Sequence, residues 1–270
     1  MIERPATFPP ERRPWIPRLS SLVWTVWQRD FDVFRRLFWV NFAVPMLEPI
    51  FYLLALGFGL GLFVKEVQGT PYPRFLAPGL IAAAIMFAAF FECSYASFVR
   101  MYHQKTFDAI IATPVNLEEV VAGEILWGAS RAVIHAAVVL VVVCLFGLAS
   151  PFLLPILLPL AFLGGFLFAT LGMIFTALVP SIEHFNFPYF LFITPMLLVS
   201  GVFFPLEALP LTWQRLAFLL FPLTHLVRVA RALSLGRLEW SLLGNMLWMI
   251  ALSLSAFYLA LYLMRRRLIQ

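Results

Sequence analysis

The sequence predicts an all-α polytopic membrane protein with six transmembrane helices, and three observations carry that prediction. Of its 270 residues, 62% are apolar and 12% charged, where a soluble domain is nearer half apolar and a quarter charged. The mean hydropathy is +0.92. The apolar residues also gather into runs close to the ~20-residue length of a bilayer crossing. They lie at 38–64, 75–101, 129–148, 151–179, 187–204 and 242–264. Too few charges remain to solvate a soluble exterior, which excludes an ordinary soluble enzyme, a disordered chain and a nucleic-acid binder. The whole of 1–270 reads as one membrane domain, with an arm at 1–37, spans within 38–264 and a tail at 265–270.

The arm comes first. It is Pro- and Arg-rich up to Arg18 and lacks a signal-peptide apolar core, so insertion is expected to rely on the first span. Residues 19–38 have helical periodicity. Trp24, Trp27, Phe31, Phe34 and Phe38 share one sector; Thr25, Gln28, Arg29, Asp32, Arg35 and Arg36 collect opposite. That pattern predicts an interface helix, aromatics toward lipid and arginines toward phosphate or water. Asp30 projects into the apolar sector, either snorkelling or pairing with a basic residue on a neighbouring cytoplasmic element. In the first span, Pro45 and Pro49 flank Glu48 and predict a kink.

The 100–116 loop holds a short amphipathic piece at 107–111, stopped by Pro114. A helix this short does not stand alone. Its Phe107, Ile110 and Ile111 either fill a groove in a soluble partner or pack on the arm. Asn116 and Glu119 form a capping pair, so the third helix begins well before residue 129. The fifth run is near the lower length limit. After it, Leu216–Leu223 is apolar but too short to cross and is bracketed by Pro205, Pro210 and Pro222. Non-spanning backbone at membrane depth must be covered by protein or line a cavity. Residues 205–240 therefore read as a hairpin re-entering from the outer face, with its apolar run covered by spans 5 and 6; an interfacial loop is the alternative. Arg228 and Arg231 are expected at the outer headgroup level. Twelve Lys and Arg fall on the side of the arm, the 100–105 loop and the tail, against six on the other. This predicts both ends in the cytoplasm.

Glu48, Glu92, Arg131 and His135 lie inside apolar runs, with Glu124 near an entrance. Intramembrane ionisable groups face the bundle interior or water. A Glu92–Arg131 or Glu48–Arg131 pair offsets the burial, either structurally or as the lining of a path. The Phe87, Phe90, Phe91 and Tyr189, Phe190, Phe192 clusters are a weaker signal for a wall along an amphiphile's route. Cys93 and Cys144 give neither a disulfide framework nor metal spacing. No phosphate-binding loop accompanies Lys65 or Lys105, the only lysines, and no hydrolase or metal motif is present. If the protein pumps anything, another chain supplies the energy.

Three stretches together resemble the membrane subunits of bacterial ABC exporters of the second export class, the permease family that includes nodulation lipo-oligosaccharide exporters. They are Glu48-Pro49 through Leu56-Gly57-Phe58-Gly59-Leu60-Gly61; the loop from Thr106 to Pro114 running on to Glu124; and Ser200-Gly201-Val202-Phe203-Phe204-Pro205-Leu206 with Leu209-Pro210, Phe221-Pro222-Leu223-Thr224-His225, Arg228 and Arg231. Phe107-Asp108-Ala109 departs from the family pattern. The resemblance implies a non-catalytic permease of the bacterial inner membrane, paired with a second copy. Two cytoplasmic ATPase subunits would hold ATP and Mg, and the permease itself no cofactor or metal. It makes 107–113, with Phe107, Asp108, Ile110, Ile111 and Thr113, a coupling helix. Spans 1, 2 and 5 would line a shared path for lipid-linked or amphiphilic carbohydrates or hydrophobic drugs, among membrane lipids.

Overall fold

The computed structural model describes residues 17, 19–39, 47, 49–237 and 239–268. Glu48 and Pro45, singled out above, lie outside the described residues. The arm is helix α1, Leu22–Arg36. The described part of the first span is a short apolar helix α2, Pro49–Leu62, whose Leu53–Gly59 stretch is widened to a π-helix. A two-stranded antiparallel turn, β1 Glu66–Val67 and β2 Thr70–Pro71, leads out of it. Then come α3 Tyr72–His103, α4 Thr106–Ile111, α5 Leu117–Leu145, α6 Pro151–Leu178 and α7 Ile182–Val199. Next are α8 Leu211–Leu220 and α9 Pro222–Leu235, bent by 99° from each other, and finally α10 Ser241–Leu268. Five of these helices, α3, α5, α6, α7 and α10, are long and apolar enough to cross a membrane. With almost no strand, the architecture is the all-α polytopic one that the composition predicts.

Helix α3 is the centre of the bundle: 83% of its apolar window is buried, against 22% for α7. It packs on α5, α6 and α9. Its lower half is irregular, with π turns at Glu92–Ala96 and Val99–His103. A π turn frees carbonyls that need new donors. Thr176 on α6 supplies one, its hydroxyl donating to the carbonyls of Cys93 (2.7 Å) and Ser94 (3.2 Å). Gly172, one turn earlier, permits this approach, because a Cβ there would stand 2.6 Å from the Phe90 carbonyl oxygen. The widened turn is what carries Glu92 to its place.

Helix α5 starts where the capping pair predicts. Asn116 and Glu119 close a capping box, and Glu119 also accepts from the Ser20 backbone N–H at 3.0 Å, fastening the arm to this helix. The arm seats its Val26, Asp30 and Phe34 ridge inward. It comes so close to Gly123 that a Cβ there would lie 2.6 Å from the Val26 Cβ. Trp24 and Phe31 remain exposed, and Arg35 and Arg36 point out in the last turn. The aromatic stripe predicted to face lipid is therefore divided: Phe34 joins Val26 and Asp30 on the protein-facing ridge, while Trp24 and Phe31 stay exposed.

The 205–240 segment differs from expectation in one respect. Pro210 precedes α8 and Pro222 opens α9, and α9 is inserted among α3, α6 and α10. Helix α8 is not covered by the spans: Leu211, Trp213, Leu219 and Leu220 are exposed, and Ala217 is its buried residue.

Candidate functional site

Four charged side chains, Glu92 and Arg100 of α3 and Glu124 and Arg131 of α5, converge beneath the arm. Glu92 is 3% and Glu124 0% exposed. Glu92 pairs with Arg131, as the sequence predicts for one of two options, and with Arg100 at 2.9 Å; it also accepts from the Trp127 indole N–H at 3.1 Å. Glu124 accepts from Arg100 Nη2 at 2.5 Å, from Arg29 Nη2 at 2.9 Å and from the Ser97 hydroxyl at 2.5 Å. Arg100 therefore bridges both carboxylates. Multiple charge-assisted donors offset the desolvation of buried carboxylates that a single ion pair leaves uncompensated.

The arm completes this hub and corrects two expectations. Asp30 neither snorkels nor pairs with a separate element: it is 4% exposed and bound to its own neighbour Arg29, whose Nη2 lies at 2.5 Å. Arg29 in turn leaves the polar face to which periodicity assigns it and reaches Glu124, because a buried acidic pair attracts it more than bulk water. Trp27 donates from its indole to the Ser130 hydroxyl at 2.9 Å, and Trp127 is ringed by Trp27, Phe31 and Phe34. Arg131 also lies over the Phe34 ring, 5.8 Å from its centroid.

Above the hub lies a cavity of about 1330 Å³. Its rim includes Arg29, Asp30, Glu92, Arg100, Arg131 and His135, and its walls include Phe34, Phe87, Phe91, Tyr95, Tyr189 and Phe203. It is bounded by residues of α1, α2, α3, α5 and α7. The aromatic clusters named from sequence are split. Phe90 is buried in the core and Phe190 is 62% exposed, away from the wall, while Phe192 packs on Phe175. Phe87, Phe91 and Tyr189 line the space, with Phe91 and Tyr189 rings 5.7 Å apart.

A scan against family profiles matches the ABC-2 type transporter family over residues 21–235. The chain belongs to the ABC-2 type transporter family. It is thus a transport membrane subunit, an integral permease rather than a catalyst. The permease is 37% identical over 252 residues to Nodulation protein J of Rhizobium leguminosarum bv. trifolii, covering 93% of this chain and 96% of the relative. It is 36% identical over 244 residues to Nodulation protein J of Sinorhizobium fredii, covering 90% and 93%. A more distant relative, the inner membrane transport permease YadH of Escherichia coli, is 22% identical over 196 residues, covering 72% and 76%.

The other predicted residues fall in two places. In the 106–114 segment of the permease, Phe107 is fully buried in the core and cannot be a knob for another protein, and Ile110 is half-buried. The helix packs on α3 and α5 rather than on the arm. What remains outward is Asp108, Ile111, Thr113 and Pro114. At the other end, Arg231 is folded against protein. It lies over Phe75, 3.8 Å from the ring centroid, and donates to the Gly201 carbonyl at 2.8 Å. It also donates to the Phe75 carbonyl at 3.3 Å and the Val202 carbonyl at 3.4 Å. Arg228 stays near the surface, with Glu239 at 3.9 Å. His225 bridges Asn245 and the Phe218 carbonyl, each at 2.8 Å, and stacks on Trp248. Pro205 precedes the 3₁₀ turn Leu206–Ala208.

Sequence reasoning missed Arg100 as the bridge and read it as a loop cation. The available signal was helical spacing: Arg100 follows Glu92 by two turns, and a continuous α3 places both on one face.

Proposed function

We propose that two copies of this chain form the membrane part of an ATP-driven exporter that moves an amphiphilic or lipid-linked carbohydrate outward across a bacterial inner membrane. Two cytoplasmic ATPase subunits, holding ATP and Mg, dock at the 108–114 surface. The observation that carries the reading is the cavity. At about 1330 Å³ it exceeds the ~300–1,000 Å³ of ordinary small-ligand pockets. It joins a charged rim to an aromatic wall, as an amphiphile with a polar head requires. Its walls include residues of the first, second and fifth spans, the set through which the path between copies is expected to run, together with the arm and the third span. The resemblance of the sequence to nodulation lipo-oligosaccharide exporters favours a lipo-oligosaccharide or polysaccharide cargo ahead of a hydrophobic drug. A proton-coupled carrier is disfavoured, since Glu92 is enclosed by Arg100, Arg131 and Trp127 as in a structural lock.

The test is co-expression with the ATPase encoded in the neighbouring reading frame. The two should copurify, and vesicles holding both should transport a fluorescent lipo-oligosaccharide only with ATP. The permease alone should hydrolyse no ATP; hydrolysis by a partner-free, pure sample overturns the reading.

A further inference from the structure

The hub leaves particular atoms without partners at the cavity rim. Asp30 Oδ1 accepts from Nε and Nη2 of Arg29, while its Oδ2, also buried, has no hydrogen-bond partner. Arg29 Nη1 and Arg131 Nε are likewise buried and unpartnered. Buried polar groups are ordinarily satisfied, so each exception calls for a physical reason. All three residues line the cavity. One free acceptor beside two free donors is the complement of a group that both donates and accepts, which describes a hydroxyl.

Charge narrows the class further. With Asp30 ionised, as it is above about pH 7, the described residues of the hub hold three carboxylates, Asp30, Glu92 and Glu124, and three guanidiniums, Arg29, Arg100 and Arg131, so its formal charge cancels. A phosphate would gain the two donors and meet the Asp30 carboxylate; an ammonium would gain that carboxylate and meet the guanidiniums. An uncharged head avoids both repulsions. We propose that Asp30, Arg29 and Arg131 form a recognition subsite for the uncharged, hydroxyl-rich head of an amphiphile whose tail lies on Phe34, Phe87 and Phe91. The proposal deepens the transport reading above and rests on it. It also places the recognised head against the arm.

Binding of four decyl-chain probes to the full-length permease in lipid nanodiscs at about pH 8.5, where Asp30 is ionised, tests it, with empty nanodiscs subtracted. The probes are decyl maltoside, decyl phosphate, decyltrimethylammonium and the zwitterionic decylphosphocholine. Decyl maltoside should bind about tenfold more tightly than any other, and Asp30→Ala should weaken it about tenfold while leaving the other three within about twofold. Phe91→Ala should weaken all four alike. Where the alanine variant does not fold, Asp30→Asn carries the test. It keeps one acceptor, so maltoside affinity should hold within about threefold, and it leaves a net positive hub, so decyl phosphate should bind about tenfold more tightly. Equal loss for all probes with Asp30→Ala, preference for phosphocholine, or unchanged phosphate binding in Asp30→Asn overturns the subsite. No ATPase or gradient is present in the assay, so failure of the transport reading leaves its outcome untouched.

Discussion

At the scale of single residues, Asp30 sets the most direct measurement. Burial first, and the Glu124 carboxylate second, push its carboxyl from 3.8 up to about 7, against the pull of Arg100 and Arg29. The folded arm thus keeps a proton that the unfolded chain gives up. Between about pH 4 and pH 7 the unfolded state is favoured progressively by its own ionisation, so this group's stabilising contribution is complete below pH 4 and lost as pH rises through 7. The loss is on the order of 2–4 kcal/mol. Asp30→Asn removes the proton exchange. Melting temperatures of wild type and variant, measured from pH 4 to pH 8.5, should diverge with rising pH, the variant gaining several degrees relative to wild type. Parallel curves would mean that Asp30 titrates alike in both states. None of this was visible in the residue's helical position alone. Periodicity marks Asp30 as misplaced in an apolar sector, but its surroundings are Glu124 and Arg100, remote in sequence.

Among elements, α4 is where the 106–114 segment divides into inward and outward faces. Phe107 belongs to the core, and Ile111 is 40% exposed. Phe107→Asp buries an unpaired charge and should lower folded yield, at about 3–5 kcal/mol. Ile111→Asp should leave yield and melting unchanged but cut ATPase copurification and transport at least tenfold. Equal folded yields for the two variants would contradict the burial of Phe107, and unchanged complex formation in Ile111→Asp would move the docking surface elsewhere. Elements were legible in the sequence wherever their cause is local. The apolar runs, the Asn116–Glu119 cap and the proline-bounded bend all depend on residues within a few positions of each other. The hub was legible only in its Glu92–Arg131 pair. Arg29 meets Glu124 across 95 positions and Arg100 meets it across 24, and choosing among several cations requires the packing of α1, α3 and α5. The coverage of α8 failed for a related reason, since a short apolar run says that it needs shelter but not which neighbour gives it.

For the whole molecule, two ends can be told apart. Arg265 of α10 pairs with Glu118 at 3.2 Å and Arg267 meets Tyr102 at 3.0 Å, so tail, arm and α4 share one end. The β-turn, the end of α7 and the residue just past α9 share the other: Gln68 reaches Glu207 at 2.9 Å, its carbonyl accepts from Arg237 at 3.4 Å, and Tyr72 donates to the Phe203 carbonyl at 3.0 Å. Cysteines replacing Arg215 and Arg237 should react with a membrane-impermeant thiol reagent from the periplasm. One replacing Leu219 should react only after detergent extraction, its side chain being shielded by lipid rather than protein. Labelling of positions 215 and 237 from the cytoplasm alone would invert the orientation. Helix α5 runs unbroken between these ends for 29 residues, about 44 Å. Its N-terminal turns carry the arm at Gly123 and the tail at Glu118, and its C-terminal turns place Val142 in one cluster with Leu53, Tyr72 and Phe75. A rod held this way is a lever. A tilt of about 5° imposed at one end sweeps the other through roughly 4 Å, more than the width of a water molecule, so a small stroke at one end of the bundle becomes an opening at the other.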